Sequence, residues 1–213
     1  YGSTETCGGV SYLHPQEFVP TAGKRLESAG TVLPHSEVRI LDEGGRELPP
    51  GDVGEVVVRS DRLMTGYWNR PEATDEAIRQ GWFYSGDAGY LDRDGYLYIV
   101  DRLKDMVITG GENVYPSEIE QLMHTHPAVE DVAVVGIPDE QWGEALLAFV
   151  IRKSGLAAVT GDELQQFLRG ELAGYKVPRR YEFVDEFPRN ATGKVLKRTL
   201  REPYWRDRDR RVG

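Results

Sequence analysis

The chain is written in two patterns, and the change from one to the other limits its folds more than any other feature. Up to about residue 100, short β-branched and aromatic runs alternate with Gly- and Pro-rich turns. Val38–Leu41 ends in Asp42-Glu43-Gly44-Gly45, Pro49-Pro50-Gly51-Asp52 makes another turn, and Glu55–Arg59 is a β-branched strand. Asp94-Gly95, between Ala88–Leu91 and Tyr96–Val100, signals a hairpin. One helix is expected in this half, from Pro71 to about Gln80, with proline near its start. The stretch 30–100 therefore reads as a small β-barrel or another compact all-β subdomain.

From about residue 105 strands and helices alternate. Pro116–His126 places Ile119, Leu122, Met123 and His126 at helical spacing. Val132–Ile137 and Ala145–Ile151 are apolar runs without alternation, the pattern of buried strands. Thr160 with Glu163 three residues on is a capping box, and Leu164, Phe167, Leu168 and Leu172 share one face of the helix it opens. Tyr181–Val184 is a third strand and Lys194–Arg201 a short last helix. The tail after Glu202, dense in Arg and Asp, is expected to fray. Asp101-Arg102-Leu103-Lys104-Asp105 is polar and stands where the pattern changes, so the boundary belongs there.

A length of 213 residues accommodates two modest cores. The net charge of -9 argues against general nucleic-acid binding through phosphate neutralisation. One cysteine, Cys7, leaves no intramolecular disulfide and reads as structural. No apolar run approaches the ~20 residues of a membrane span, and the first residues lack the features of a signal peptide. A cytoplasmic location is expected. The four histidines, His14, His35, His124 and His126, show no metal-ligand spacing.

Several short segments carry chemistry-bearing groups. Tyr1-Gly2-Ser3-Thr4-Glu5 combines an aromatic, a hydroxyl and a carboxylate, a set that can stack a base, bond a phosphate and hold Mg²⁺; it reads equally as a polar turn. Tyr84-Ser85-Gly86-Asp87 presents one carboxylate, a suitable acceptor for ribose hydroxyls or a cap for its own turn. Gly110-Gly111 ahead of a helix permits close approach of backbone to a ligand, or simply a positive φ. Pro188–Lys194 ends in Gly-Lys but is not a Walker A loop, because Pro188 and Val195 stand where Gly and Ser or Thr are required. What remains is Lys194, a mobile positive charge able to meet a phosphate or a carboxylate.

Singly these segments are weak; their order is specific. Tyr-Gly-x-Thr-Glu is followed by Gly54-Glu55, Gly66-Tyr67-Trp68-Asn69-Arg70-Pro71, Ser85-Gly86-Asp87, Asp101–Asp105, Gly110–Glu120 and Gly193-Lys194. The series resembles the second half of the adenylate-forming (AMP-binding) superfamily, which includes acyl-CoA synthetases, peptide-synthetase adenylation domains and firefly luciferase. The segment Asp101–Pro116 is similar to that of bacterial fatty acyl-CoA synthetases. Ile108 stands where luciferase and coumarate ligases have Lys, which counts against a luciferase-type oxidation.

The resemblance implies an α+β chain: the end of a large N-terminal domain (1–102) with the β-barrel-like subdomain, then a hinge and a small mobile C-terminal domain (103–213). It implies ATP-dependent formation of an acyl-adenylate, then displacement of AMP by the thiol of CoA. Tyr1 would stack on adenine, Thr4 would bond phosphate and Glu5 would hold Mg²⁺. Asp87 and Arg102 would bind the ribose, Lys104 would be the hinge, Gly111 would line the CoA tunnel, and Lys194 would contact the carboxylate and α-phosphate. The family's phosphate loop and most of its acyl pocket lie upstream, so the chain is expected to be inactive, or nearly so, without the missing N-terminal half of the enzyme. Two competing readings are a non-catalytic adenylate- or partner-binding module and an adenylation domain that loads a carrier protein.

Overall fold

A computed structural model describes residues 1–206, apart from the side chains of residues 20–22 and 24. The chain divides into two compact units, Tyr1–Leu103 and a second that begins at Lys104.

The first unit starts with two small antiparallel pairs, β1 (Gly2–Ser3) with β2 (Gly8–Gly9), and β3 (Ser11–Tyr12) with β4 (Thr31–Val32). The first pair needs glycine at position 2, where an added Cβ would lie 2.2 Å from the Gly8 carbonyl oxygen. Its main body is an antiparallel sheet of β5 (Ser36–Leu41), β6 (Gly54–Ser60), β7 (Ile78–Arg79), β8 (Trp82–Leu91) and β9 (Leu97–Arg102). Strand β8 is the spine: β6 runs along one edge, while β7 and β9 share the other. Ile40, Val56, Val58, Phe83 and Leu97 fill the core with Val10. The compact all-β subdomain expected between 30 and 100 takes this open five-stranded form.

Helix α1 (Pro71–Ala77) is shorter than the sequence suggests. Ile78-Arg79 pairs instead with Phe83-Trp82 across the two-residue turn Gln80-Gly81, whose φ angles of 51° and 80° are those of a primed hairpin turn. A β-branched residue at 78 and a glycine at 81 favour that hairpin over a further helical turn.

The second unit contains β10 (Val107–Thr109), β11 (Glu112–Val114), α2 (Pro116–His124), β12 (Val129–Asp139), β13 (Gly143–Arg152), α3 (Gly161–Arg169), β14 (Arg180–Phe183) and α4 (Lys197–Arg201). The sheet order is β11-β10-β13-β12, and β14 joins β13 in parallel. Alternate residues of β12 and β13 feed two cores. Val132, Val134, Leu146, Ala148 and Val150 meet Ile119 and Met123 of α2 and Leu164 and Leu168 of α3. Ala133, Val135, Leu147 and Phe149 face the other way, onto Phe187, Val195, Leu200 and Tyr204. With both faces covered, the two strands have no solvent side, so their sequences show no alternation.

The capping box of α3 forms as expected: the Thr160 hydroxyl accepts the Glu163 N–H, and the Glu163 carboxylate accepts the Thr160 N–H at 2.8 Å. Leu172 lies beyond the end of α3 but packs against the same core. Two helix ends differ from expectation. Helix α2 stops at His124, and α4 starts at Lys197 rather than Lys194. Residues 190–194 instead form a turn around the Asn190 side chain, whose Oδ1 accepts the N–H groups of Thr192 and Lys194. The start of the tail is anchored rather than frayed: Tyr204 donates to Glu182 at 2.8 Å, and Trp205 Nε1 to the Gly136 carbonyl at 3.0 Å. The rest of the tail lies outside the described residues. Among those residues no helix is long and apolar enough to cross a membrane.

Candidate functional site

The first unit gathers Tyr1, Asp87 and Arg102 into one cluster. Asp87 on β8 and Arg102 on β9 are direct partners in the antiparallel ladder. Their side chains therefore leave the same face of the sheet at the same level, and Arg102 Nε lies 2.8 Å from Asp87 Oδ1. Tyr1 closes the cluster by donating its hydroxyl to Asp87 Oδ2 at 2.5 Å. Asp87 is 6% exposed, whereas the Arg102 side chain is half exposed. Burial, reinforced by the hydrogen bond to Asp87, raises the Tyr1 phenol well above its ordinary value, so Tyr1 remains a neutral donor.

The turn that carries Asp87 is held from below. The Ser85 hydroxyl donates to the Val56 carbonyl at 2.6 Å and accepts the Asp87 N–H at 3.0 Å. Glu55 accepts the Gly86 N–H at 3.1 Å. Burial raises the Glu55 carboxyl above its ordinary value; the Gly86 hydrogen bond works against that shift without cancelling it. Gly86 sits at φ 69°, a left-handed conformation that suits glycine.

Thr4 and Glu5 lie in the turn joining β1 to β2. The buried Thr6 hydroxyl accepts the Ser3 N–H at 2.9 Å and bonds the Gly8 carbonyl at 2.8 Å, which fixes the turn. Thr4 is exposed and spends its carbonyl on the Cys7 N–H. Cys7, read from sequence as structural, is exposed at φ 49° and contributes nothing to a core. Glu5 accepts the Tyr67 hydroxyl at 2.8 Å. Burial pushes the Glu5 carboxyl up, but its own backbone N–H and the Tyr67 hydroxyl outweigh that and hold it below the ordinary carboxylate value.

The second unit carries Lys104, Gly111 and Lys194 on three separate segments. Lys104 is exposed in the 3-10 turn Leu103–Asp105, and its carbonyl accepts Arg201 Nη1 at 2.9 Å. Gly110 and Gly111 make the β10–β11 turn at φ 61° and 89°. An added Cβ at Gly110 would come within 2.7 Å of the Trp142 ring, whereas one at Gly111 meets open space. Lys194 is exposed on a clamped loop: Arg189 bridges to Val195, the Asn190 turn fixes the Lys194 N–H, and Arg189 pairs with Asp131. Val195 next to it packs into the core. The lysine is thus an exposed charge on a loop held by hydrogen bonds and an ion pair.

Sequence reasoning gave no role to Tyr67, Glu55 or Trp142, each of which touches or supports one of these residues. Tyr67 and Glu55 stand in segments singled out for their order, but what they contact lies 62 and 31 residues away along the chain.

Residues 1–68 match the family of AMP-binding enzymes, and residues 118–194 match the AMP-binding enzyme C-terminal domain. The chain belongs to the AMP-binding, adenylate-forming superfamily and carries the C-terminal part of its pattern. It is 46% identical over its whole length to the fatty acid–[acyl-carrier-protein] ligase ScoC of Streptomyces coeruleorubidus, of which it covers 40%. Over 96% of its length it is 46% identical to a feruloyl-CoA synthase of Amycolatopsis sp, again covering 40%. Among solved structures, the o-succinylbenzoate CoA synthetase MenE of Bacillus subtilis, in complex with the acyl-adenylate intermediate OSB-AMP, superposes with a TM-score of 0.86 at 36% identity. The match takes in 100% of this chain and 41% of that one. ATP-bound MatB of Rhodopseudomonas palustris gives a TM-score of 0.85 at 41% identity, over 96% of this chain and 40% of that one. The chain thus spans about two fifths of the length of the relatives it matches.

Proposed function

We propose that this chain is the nucleotide-handling and thioester-forming part of an acid–thiol ligase. The protein containing it would activate a carboxylic acid as an acyl-adenylate and pass the acyl group to CoA. The observation that carries this reading is the Asp87–Arg102 pair closed by Tyr1. Tyr1 offers a half-buried aromatic surface for adenine. A carboxylate has about four lone-pair sites, so Asp87, engaged by Tyr1 and Arg102, can still accept the vicinal hydroxyls of a ribose.

The donor set also fits the ions involved. Mg²⁺ is usually held by one or two carboxylates together with substrate phosphates. Glu5, half-buried and held below the ordinary carboxylate value by its hydrogen bonds, supplies one such carboxylate, and among the described residues no group of three His, Cys, Asp or Glu side chains could form an all-protein cage. Glu5 would hold the ion, which neutralises phosphate charge when bound, and Thr4 would donate to phosphate. Lys194 would stabilise charge developing between the acid carboxylate and the α-phosphate, a reaction that needs positioning and neutralisation more than covalent catalysis. Lys104 would serve as the pivot that lets Lys194 leave once the adenylate has formed. Gly111, whose added side chain would project into open space, would border the path of the CoA pantetheine. Residues 1–102 would then belong to a large domain, and 103–213 would form a small mobile one.

Relatives named for fatty, feruloyl and succinylbenzoate substrates support the general acid-activating reaction. The narrower choice of a fatty acid rests on the segment Asp101–Pro116. A carrier protein is a second candidate acceptor, favoured by the similarity to ScoC. We further propose that the isolated chain does not turn over by itself and that the protein works in the cytoplasm.

The test starts from a pre-made acyl-adenylate and CoA in the protein containing this chain. The Lys194→Ala variant should still form thioester from the adenylate yet fail from ATP and acid. Replacing CoA by a holo carrier protein separates the two acceptors. No transfer to either acceptor by the folded protein would refute the ligase reading.

A further inference from the structure

We propose that Tyr67 is the positioning residue for Glu5, and that the loop from Met64 to Thr74 exists in its present shape to hold that contact. The proposal rests on the reading of Glu5 as the Mg²⁺-holding carboxylate.

Two bonds reach Glu5 from this loop. The Met64 N–H donates to the Glu5 carbonyl at 2.7 Å, and the Tyr67 hydroxyl donates to Glu5 Oε1 at 2.8 Å. One fixes the backbone of Glu5 and the other fixes its side chain. The loop is itself locked. Thr74 Oγ1 accepts the Tyr67 N–H at 2.9 Å while donating to the Arg70 carbonyl at 3.0 Å. Gly66 stands at φ 155°, and a Cβ there would lie 2.8 Å from the Thr74 side chain. Only glycine at 66 lets the loop close on Thr74 and aim Tyr67 at Glu5.

The chemistry of the contact suits a metal carboxylate. A phenol that donates to Oε1 occupies one lone pair of that oxygen and selects one rotamer. It also favours the ionised form of Glu5 without adding a charge that would repel a cation. Held this way, Glu5 reaches a metal ion without first losing side-chain freedom, which is the usual service of a group that bonds a metal ligand from behind.

The experiment has two readouts. The first is the side-chain order of Glu5, read by NMR relaxation of its side-chain carbons in the chain as it stands. Tyr67→Phe should loosen the Glu5 side chain, whereas Trp68→Ala, at a residue 89% exposed in the same loop, should leave its order unchanged. The second is the Mg²⁺ dependence of acid-driven pyrophosphate release in the protein containing this chain. Tyr67→Phe should raise the Mg²⁺ concentration for half-maximal rate by roughly 10- to 100-fold, as expected for loss of a hydrogen bond that orients a metal-holding carboxylate, with the rate at saturating Mg²⁺ nearly unchanged. Thr74→Val should shift the requirement in the same direction by less. A Glu5 side chain that stays equally ordered in Tyr67→Phe overturns the proposal. If Glu5→Gln raises the Mg²⁺ requirement and Tyr67→Phe does not, the positioning role fails while the metal reading stands. If Glu5→Gln also leaves the requirement untouched, both fail.

Discussion

The two units handle their polar residues in opposite ways. In the first, Asp87 is nearly buried, and Tyr1, Arg102, Ser85 and Glu55 surround it or its turn with hydrogen bonds. In the second, Lys194, Lys104 and Gly111 are exposed, and the order lies in what carries them: two cores on either face of β12 and β13. A group that recognises a fixed shape gains from being immobilised in advance. A lysine that must act in one step and be absent from the next gains from a free side chain on a firm base. On the proposed function, the buried cluster serves recognition and the exposed residues serve the chemistry that changes between steps.

The sharpest way to break this contrast is Lys194→Ala. It should cut adenylation from ATP and acid by ~10²–10³-fold, the usual cost of removing one donor that meets developing charge. Thioester formation from a pre-made adenylate and thermal stability should stay near the wild-type level; kinetics from the two starting points and a melting curve decide it.

Leu147→Ala tests the base instead. Leu147 is fully buried between β12 and the Phe187 side of the sheet, so truncation should destabilise the second unit by ~2–5 kcal/mol. If the units fold separately, denaturation followed by hydrogen exchange should show protection lost beyond Lys104 and kept around Val56 and Phe83. Loss of protection in both would mean that they unfold together.

Thr160→Ala removes the α3 cap and should cost about 1 kcal/mol, read as a lower denaturant midpoint with an unchanged slope.

The smallest effect is expected at Glu55. Its folded pKa is raised by burial, so its contribution to stability is present at low pH and is lost as pH rises through the folded value. Glu55→Gln keeps an acceptor for the Gly86 N–H and removes the charge. The melting temperature of the variant should therefore fall less than wild type between acid and neutral pH. An identical pH profile would show that the Asp87 turn does not feel the Glu55 charge.

How much of this was legible from sequence depended on the range of the interactions. The α3 cap depends on residues three apart and could be read directly. The runs at 132–137 and 145–151 announced strands covered on both faces. The order of short segments, rather than any one of them, pointed to the family. Local competition misled at two places. Ile78-Arg79 continues a helical pattern but is captured by a hairpin with Phe83-Trp82, and Lys194 looks like a helix start but belongs to the Asn190 turn. Tyr67 on Glu5 and Glu55 under Gly86 were invisible because only the fold brings those residues together.

The parallel pairing of β13 with β14 has a consequence for the order of assembly. Leu147 faces Arg180, while the β12–β13 hairpin joins Asp139 to Gly143 across a few residues. Closing the longer loop costs more chain entropy, and its contacts reward that cost only after the intervening segment, α3 included, has settled. Contact range alone thus predicts that the hairpin forms early in the second unit and that β14 joins later, an order that mutational folding kinetics would test. The clamped loop bearing Lys194 follows β14 in the chain and packs on a face that the hairpin alone already presents, so its mount can form before β14 joins.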